Sequence, residues 1–359
     1  MTEKLIRLSG LLCVPLLVAL IALPAFHWET DFLSFYAGAK LVGTPHLYSL
    51  DSVHAIERAY ERETVQVRAY IRPAFYAVLL QPLSRLPFRT ASAIWQVLNV
   101  LAIGVFIWLW CRDQAALVVL FTPLWVCLMV GQDVPLFLVV IATSVWLLRK
   151  NRPLLAGLAL SLCAAKFHLF LLLPLLIIAK RLWRLAAGLT IGGTILLCVS
   201  FITNGNWVPG FLQMVQMNEQ HEDHTSYMFN ITGLVWGLPW HWLWYGLAFA
   251  GVSIVLWKFI RRTDIAEALS LTVVGGVLIS MHVFMYDLGF LLPWILLQGR
   301  KQAIRCAMCI SMAVVAVGFS IAHVAAHYFL YLGPIVVLGA VAAGLSTSFG
   351  KPIEARTIQ

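Results

Sequence analysis

Long apolar segments alternate with short polar stretches along most of the chain. Segments of roughly 17 to 25 apolar residues have the length that a helix needs to cross a membrane. The pattern therefore predicts an all-α polytopic membrane protein. The predicted spans are Leu8–Phe26, Ala91–Trp110, Ala115–Val130, Val134–Leu148, a split stretch over Pro153–Ala179, Leu185–Ile202, Ile231–Trp257, Ala266–Met281, Val283–Gln298, Ala303–His323 and Tyr328–Leu345.

Clusters of lysine and arginine between the apolar segments predict the orientation, because such clusters favour cytoplasmic loops. All of them face the cytoplasm if Pro73–Pro87 is a short re-entrant or interfacial piece and Pro153–Ala179 is a hairpin. Each hairpin arm of about 13 residues is roughly 20 Å long, too short for a core of about 30 Å. The hairpin tip near Lys166 is therefore expected within the membrane's depth. The result is about twelve membrane helices in one integral domain, residues 1–359, with both termini inside.

Two loops are predicted on the outer side, residues 27–90 and 203–230. The first carries interfacial helices, because polar and apolar residues alternate amphipathically from Leu50 to Tyr60. It also contains Asp31, a carboxylate where a spanning helix meets the outer surface. Such a position costs free energy without a structural return, so Asp31 is a functional-site hypothesis. Other uncommon polar groups gather on the same side: Gln132, Asp133, Lys166, His168, His282 and Asp287.

Composition supports the membrane assignment. Hydrophobic residues make up 61% of the 359-residue chain and charged residues 11%, against about 25% charged in soluble domains. The formal net charge is +9, but the basic residues lie in short clusters between apolar segments. They therefore indicate topology rather than a nucleic-acid partner.

Seven short motifs combine aromatic, polar, glycine and proline residues between residue 28 and about residue 297. They are Asp31-Phe32-x-x-Phe35-Tyr36-x-Gly38, Leu47-Tyr48, Tyr70-Ile71-Arg72-Pro73-Ala74-Phe75, Gly131-Gln132, Ala156-Gly157-Leu158 leading to Lys166, Asn230-Ile231-Thr232-Gly233, and Ser280-x-His282-x-x-x-Tyr286-Asp287. Their order and spacing resemble glycosyltransferase family 87, whose members are similar to the mycobacterial phosphatidylinositol mannoside mannosyltransferases. The chain departs from that family at Ala74 and Phe167, where members often carry proline.

The resemblance implies a GT-C-like bundle in the inner (plasma) membrane, with an active site facing outward. It implies inverting transfer of a hexose, with mannose expected, from a polyprenyl-phosphate sugar to a glycolipid or glycan hydroxyl, without cofactor or metal. Asp31 is then the general base, and Lys166, His282 and Arg72 bind the donor phosphate, whose growing negative charge needs cations. Candidate substrate contacts are Tyr36, Tyr48, Gln132, Asn230 and Asp287.

Each assignment has a structural alternative. Asp31 is alternatively the N-cap of the helix that follows it, and Lys166 a snorkelling residue. The alternatives are a hydrogen-bonded bundle histidine for His282 and interfacial anchoring for Arg72. Asp287 is expected to orient His282 or another cation. Helix capping is the leading interpretation of Asp133, where an acid also favours the positive end of the helix.

The run His221-Glu222-Asp223-His224 in the second outer loop is interpreted as a solvated loop, with acceptor contact or metal binding as alternatives. Two other function classes stay open. Secondary transporters or flippases of lipid-linked sugars also bury a few charges in apolar bundles, and a ligase or polymerase of lipid-linked glycans shares the topology. The sequence leaves the sugar, the acceptor, the linkage and the oligomeric state open.

Overall fold

Every regular element in the described part of the chain is a helix. The computed structural model describes residues 31–60, 69–119, 121–221, 228–298 and 332–348, and no strand occurs in these ranges. The all-α prediction is therefore confirmed for them. The predicted spans Leu8–Phe26 and Ala303–His323 lie outside the described residues.

The helices are labelled in chain order, with short 3₁₀ stretches between some of them. The α-helices are α1 (Phe32–Leu41), α2 (Leu50–Arg58), α3 (Ala74–Ser84), α4 (Phe88–Trp110), α5 (Ala115–Val119), α6 (Thr122–Val130), α7 (Val134–Arg149), α8 (Pro153–Leu160), α9 (Leu173–Lys180), α10 (Trp183–Thr203), α11 (Trp207–His221), α12 (Ile231–Val235), α13 (His241–Arg262), α14 (Ile265–Ile279), α15 (Leu292–Leu297) and α16 (Leu332–Ser348). The 3₁₀ stretches are Arg112–Gln114, Ser161–Phe170 and Met285–Leu291.

Four of these stretches are long and apolar enough to cross a membrane: Phe88–Trp110, Pro153–Phe170, Trp183–Thr203 and His241–Arg262. The bent pair of α5 and α6 adds a fifth if it counts as one span. The chain is thus a helical membrane protein with four to five candidate spans in its described part. The figure of about twelve membrane helices, the outer position of the first loop and the single-domain organisation stay predictions.

The structure divides into two compact units. The first comprises Met1–Arg112, Leu124–Phe167 and Trp183–His224. Within it α8 packs on α10, α4 on α7, and α1 on α3. Gly157 and Gly188 lie at the crossing of α8 and α10, where a Cβ on either glycine would overlap the backbone of the other helix. Small residues thus allow the close helix approach that is common in membrane bundles.

The second unit comprises Asp113–Pro123, His168–Leu182 and Thr225–Gln359. Helix α14 is its centre, since α9, α12, α13 and the 3₁₀ stretch after α14 all pack on it. Every residue of the helix from Ala268 to Ile279 is buried. Such all-round burial explains why its sequence is apolar on every face.

Several predicted boundaries are wrong. The segment Ile231–Trp257 is not one helix, because α12 ends at Val235 and α13 begins only after Trp240, which has a left-handed φ of 63°. Gly237 and Pro239 lie in this turn, and proline disfavours helix continuation. Likewise, Ala115–Val130 is divided into α5 and α6.

Two more predictions need correction. The predicted loop 203–230 contains a 15-residue helix, α11. The predicted span Val283–Gln298 is a 3₁₀ stretch followed by the six-residue helix α15. In both cases hydrophobicity distinguishes apolar from polar segments but does not report the local type of helix.

The helices predicted in the first loop are present. Helix α2 covers most of the amphipathic run, and the Ser49 hydroxyl caps it by accepting a hydrogen bond from the Ser52 N–H. Helix α3 occupies the short Pro73–Pro87 piece. Helix α1 packs closely against the segment before α3, since a Cβ on Gly38 in α1 would overlap the Tyr70 ring. These helices hold the first polar side chains of the candidate site.

Candidate active site

A tight turn between α6 and α7 directs two consecutive polar side chains, Gln132 and Asp133, into the interior of the first unit. Gly131 has a left-handed φ of 70°, and the Gln132 N–H donates to the Cys127 carbonyl at 2.8 Å. This is the glycine-terminated helix end known as a Schellman motif. The Trp95 indole donates to the Gly131 carbonyl at 2.8 Å and fixes the turn. Gln132 and Asp133 therefore have defined positions.

Asp133 is completely buried and lies among three donors. Its Oδ2 accepts from the Tyr76 hydroxyl at 2.8 Å and from Arg72 Nη2 at 3.4 Å, while its Oδ1 pairs with Lys166 Nζ at 3.3 Å. Although Asp133 precedes α7, its side chain makes no capping hydrogen bond. The capping interpretation of Asp133 is therefore wrong, and its carboxylate is an ionic centre.

The charge state of Asp133 follows from this environment. Burial alone would raise the pKa of its carboxyl group, but Lys166 and Arg72, with the Tyr76 hydrogen bond, lower the pKa below its ordinary value. Asp133 lies between helices, outside the four candidate spans. The carboxylate is therefore ionised at neutral pH.

Lys166 lies at a break in a helical stretch. Within Ser161–Phe170 its backbone angles are non-helical, with φ −124° and ψ 46°. This backbone break lies where the sequence predicts the tip of a hairpin, and the α-helices α8 and α9 on either side have eight residues each, fewer than predicted. The hairpin itself stays a prediction. The Lys166 side chain is 1% exposed, which contradicts the snorkelling alternative, and its ammonium faces Asp133.

Gln132 connects this ionic centre to Asp31. Its amide Nε2 donates to Asp31 Oδ2 at 2.8 Å, and its Oε1 accepts from Arg72 Nη2 at 3.4 Å. The same Nη2 atom donates to Asp133, so its two hydrogens serve two acceptors. A continuous chain of polar contacts thus runs from Asp31 through Gln132, Arg72 and Asp133 to Lys166. We call these five residues with Tyr76 the polar cluster.

Asp31 is at the N-cap position of α1 but makes no side-chain capping bond. Its backbone N–H donates to the Val130 carbonyl at 2.7 Å, which ties it to the end of α6. Its carboxylate instead accepts from Gln132. The capping alternative for Asp31 is therefore not observed.

Arg72 is held on several sides. Its guanidinium lies over the rings of Phe35 and Tyr76, at 5.2 and 6.0 Å from the ring centres, and such contacts favour a cation. Its carbonyl accepts from the Tyr48 hydroxyl at 2.9 Å. Arg72 is buried, so the interfacial anchoring alternative does not fit.

The two tyrosines predicted as substrate contacts have structural partners. Tyr36 is buried and its hydroxyl donates to the Leu86 carbonyl at 2.7 Å, while Lys40 Nζ lies 4.9 Å from its ring centre. Tyr48 supports the Arg72 backbone, and burial raises the pKa of its hydroxyl. Tyr48 therefore helps to fix the backbone of Arg72 without belonging to the polar cluster. A substrate role for either tyrosine stays a prediction.

Comparison with known proteins identifies the family. The model of glycosyltransferase family 87 matches residues 70–285, more than half of the chain. The chain belongs to glycosyltransferase family 87. No curated protein and no solved structure matches it.

Family membership makes the chain a glycosyltransferase, and the transporter and flippase alternatives are set aside. The matched range includes four members of the polar cluster that carry charge or amide groups: Arg72, Gln132, Asp133 and Lys166. Asp31 precedes this range, so its place in the site comes from the geometry alone.

The remaining predicted site residues of this glycosyltransferase lie in the second unit. The His282 ring meets the rings of His168 and Phe284 edge-on, with ring centres 5.8 and 4.8 Å apart. Its main chain is fixed by Ser280, whose hydroxyl bonds to the N–H and the carbonyl of His282. His282 thus stands in an aromatic histidine pair that includes the previously unassigned His168.

Asn230 and Asp287 serve the fold of the second unit. Asn230 is fully buried, donates to the carbonyls of Val277 and Ser280, and caps α12 by accepting from the Gly233 N–H. Asp287 accepts from the Phe284 N–H at 3.1 Å and so closes the turn after His282. Asp287 therefore fixes the backbone beside His282, and a substrate contact by either residue stays a prediction.

Two features of the glycosyltransferase were missed in the sequence. Tyr76 looks like an apolar-face residue of a short helix, and only its position after Tyr70-Ile71-Arg72-Pro73 hints at a polar role. The second is Asp133, whose sequence position favours a helix cap.

No group of three or more metal-ligating side chains occurs among the residues that the structure describes. His224, and the side chain of His221, lie outside that part.

Proposed function

We propose that the glycosyltransferase transfers a hexose, with mannose expected, from a polyprenyl-phosphate sugar to a hydroxyl of a glycolipid or glycan, with inversion. The observation that supports this proposal most directly is the polar cluster. It joins a carboxylate, Asp31, to two buried cations, Lys166 and Arg72, through defined contacts. A base and an anion-binding pair are the two chemical elements that the reaction needs.

Asp31 is the base in this proposal. The acceptor oxygen attacks the anomeric carbon from the face opposite the phosphate, and Asp31 removes the hydroxyl proton as the new bond forms. A positioned base contributes about 10²- to 10⁴-fold to such a step. The Gln132 amide N–H donates to one carboxylate oxygen of Asp31 and so orients the proposed base.

Lys166 and Arg72 stabilise the leaving group. The bond from the anomeric carbon to the phosphate oxygen breaks, and that oxygen keeps the electron pair, so the phosphodiester becomes a phosphomonoester with more negative charge. Preorganised donors stabilise such a change because they need no reorganisation during the reaction. Tyr76 and Asp133 hold both cations in place beforehand.

The charge of the polar cluster matches this chemistry. Two carboxylates, Asp31 and Asp133, balance Arg72 and Lys166 before the reaction. When Asp31 takes up the acceptor proton, the cluster becomes positive at the moment when the phosphate becomes more negative. A phosphate-binding role for His282, whose ring meets the His168 ring edge-on, stays a prediction.

The setting of the proposed reaction is the outer face of the cell's plasma (inner) membrane, with the donor lipid in the bilayer. No metal or cofactor takes part in the proposed step. Candidate contacts to the sugar or acceptor are Tyr36, Tyr48 and Asp287.

The test compares cells that produce the native protein with cells that produce Asp31→Asn. Mass spectrometry of lipids and glycans is expected to show one hexose missing from a particular species in the variant cells. Membranes given labelled polyprenyl-phosphate mannose are expected to transfer label about 10²- to 10⁴-fold more slowly when they contain Asp31→Asn. Transfer at the native rate by an Asp31→Asn protein of native thermal stability would refute the role of Asp31. A product of the native protein that contains no added mannose would refute mannose as the transferred sugar.

A further inference from the structure

Gln132 has contacts that differ from those expected of a substrate-binding residue. It is 4% exposed, and both ends of its amide are used inside the polar cluster. One end donates to Asp31, and the other accepts from Arg72. The side chain therefore stands between the proposed base and the proposed phosphate-binding cations.

The chemistry of the two partners fixes the orientation of the amide. Arginine has only donors, and an ionised aspartate has only acceptors. The nitrogen must therefore face Asp31 and the oxygen must face Arg72, since the reversed amide would oppose like groups at both ends. No side chain of the same length and shape other than glutamine supplies a donor and an acceptor in this arrangement.

We infer that Gln132 is a positioning residue that holds Asp31 ionised and aligned and couples it to Arg72. This inference rests on the proposed role of Asp31 as base. A hydrogen bond to the charged form of a carboxylate favours that form. Because the Arg72 guanidinium polarises the amide from its oxygen end, the N–H that faces Asp31 is a stronger donor. The cation that binds the leaving phosphate thus also tunes the base.

The measurement is the pH profile of kcat/KM for transfer from labelled polyprenyl-phosphate mannose, in membranes that contain the full chain. Gln132→Met keeps the length of the side chain but removes the donor. The acidic limb of the profile is expected to move upward by about one pH unit, the size expected when a carboxylate loses a charged hydrogen bond. Gln132→Glu places a second carboxylate against Asp31, so its limb is expected to move further.

A matched control comes from Gln96, another buried glutamine of the first unit. Its Nε2 donates to the Leu128 carbonyl at 2.8 Å, close to the same turn but outside the polar cluster. Gln96→Met loses a hydrogen bond of similar length and burial. It is expected to lower the melting temperature to a similar degree as Gln132→Met and to leave the acidic limb in place.

Other titratable groups on the helices near Asp31 are the same in all these variants. They are Tyr36 and Lys40 on α1, Asp51, His54, Glu57 and Arg58 on α2, Tyr76 on α3, and Arg89 on α4. Within the polar cluster, Arg72, Asp133 and Lys166 are also unchanged. A limb that belonged to a group outside the polar cluster would not move in the order native, Gln132→Met, Gln132→Glu.

The outcomes separate this inference from the proposed function. If Asp31→Asn is inactive and the limb of both Gln132 variants stays at its native pH, the coupling through Gln132 is refuted while the base assignment stands. Folded Gln132 variants with no activity at any pH would also refute it, because Gln132 would then act on the substrate directly. If Asp31→Asn is fully active, the proposed function itself fails.

Discussion

The two units satisfy their buried polar groups in different ways. In the first unit, Asp133 bonds to the side chains of Tyr76, Arg72 and Lys166. In the second, Asn230 and Thr232 donate to main-chain carbonyls at the end of α14. Removing one member of a buried ion pair leaves the opposite charge buried without its partner. Removing a neutral side chain that bonds to a main-chain carbonyl leaves only that carbonyl without its hydrogen bond.

This difference separates chemistry from architecture. Burying ionised groups costs several kcal/mol each unless they are paired, and neutral groups of similar size would hold helices together more cheaply. The polar cluster is therefore best explained by the reaction that we propose, while the contacts of the second unit connect α12 to α14. Substitutions in the two regions should accordingly affect different measurements.

The largest expected effect belongs to Asp133→Ala. It leaves Arg72 and Lys166 buried without their shared carboxylate, so the free energy of unfolding should fall by about 3–5 kcal/mol. Transfer should be lost as well. Thermal unfolding of the purified protein in detergent measures the first effect, and label transfer measures the second.

The matched control is Asp264→Ala. Asp264 is also an acid at a helix N-cap, but it does cap α14, accepting from the Glu267 N–H at 2.9 Å. Its loss should cost only about 1 kcal/mol and leave transfer intact. Equal losses in the two variants would mean that Asp133 acts as an ordinary cap after all.

Lys166→Met should affect activity more than stability. Asp133 keeps Arg72 and Tyr76 as partners, so the fold retains most of its contacts. Loss of one preorganised donor to the leaving group should lower kcat by about 10²- to 10³-fold. The control is Lys180→Met, since Lys180 donates only to main-chain carbonyls at the end of α13 and should not affect kcat. Unchanged turnover in Lys166→Met would remove its phosphate role.

Asp133 also shows where sequence reasoning fails. Its local pattern, an acid directly before an apolar helix, is the same as that of Asp264, yet only Asp264 caps its helix. The difference comes from Arg72, 61 residues earlier in the chain, and from Lys166. No local pattern reports such partners, so the ionic role of Asp133 needed coordinates.

Other parts of the fold could be predicted because their signals are local. Apolar length predicts the candidate spans α4, α10 and most of α13, and the backbone break at Lys166 lies where the orientation of the basic clusters predicts a hairpin tip. The turn before α13 was missed although Gly237 and Pro239 mark it. The prediction follows hydropathy, whereas glycine and proline residues favour a turn in the backbone at this place.

Asn230→Ala tests the architectural side of the comparison. The variant loses two bonds to carbonyls and the cap of α12, which should lower the free energy of unfolding by about 1–3 kcal/mol. Because these partners are main-chain groups, kcat per folded molecule should stay unchanged. A clear fall in kcat at native stability would instead support Asn230 as a substrate contact.

The smallest expected effect is the pH dependence of stability. Since the pKa of Asp133 is lowered in the folded protein, its ionised form stabilises the fold at pH values above its unfolded pKa of about 4. This stabilisation is lost as the pH falls from there through the lower folded pKa. The melting temperatures of the native protein and Asp133→Asn should therefore differ most at neutral pH and converge below about pH 4. A difference that stayed constant on acidification would mean that Asp133 contributes shape rather than charge.

The corresponding variant of the second unit is Thr232→Val. Its melting temperature should lie below that of the native protein by the same amount at every pH, because Thr232 bonds to the Ser280 carbonyl without carrying charge.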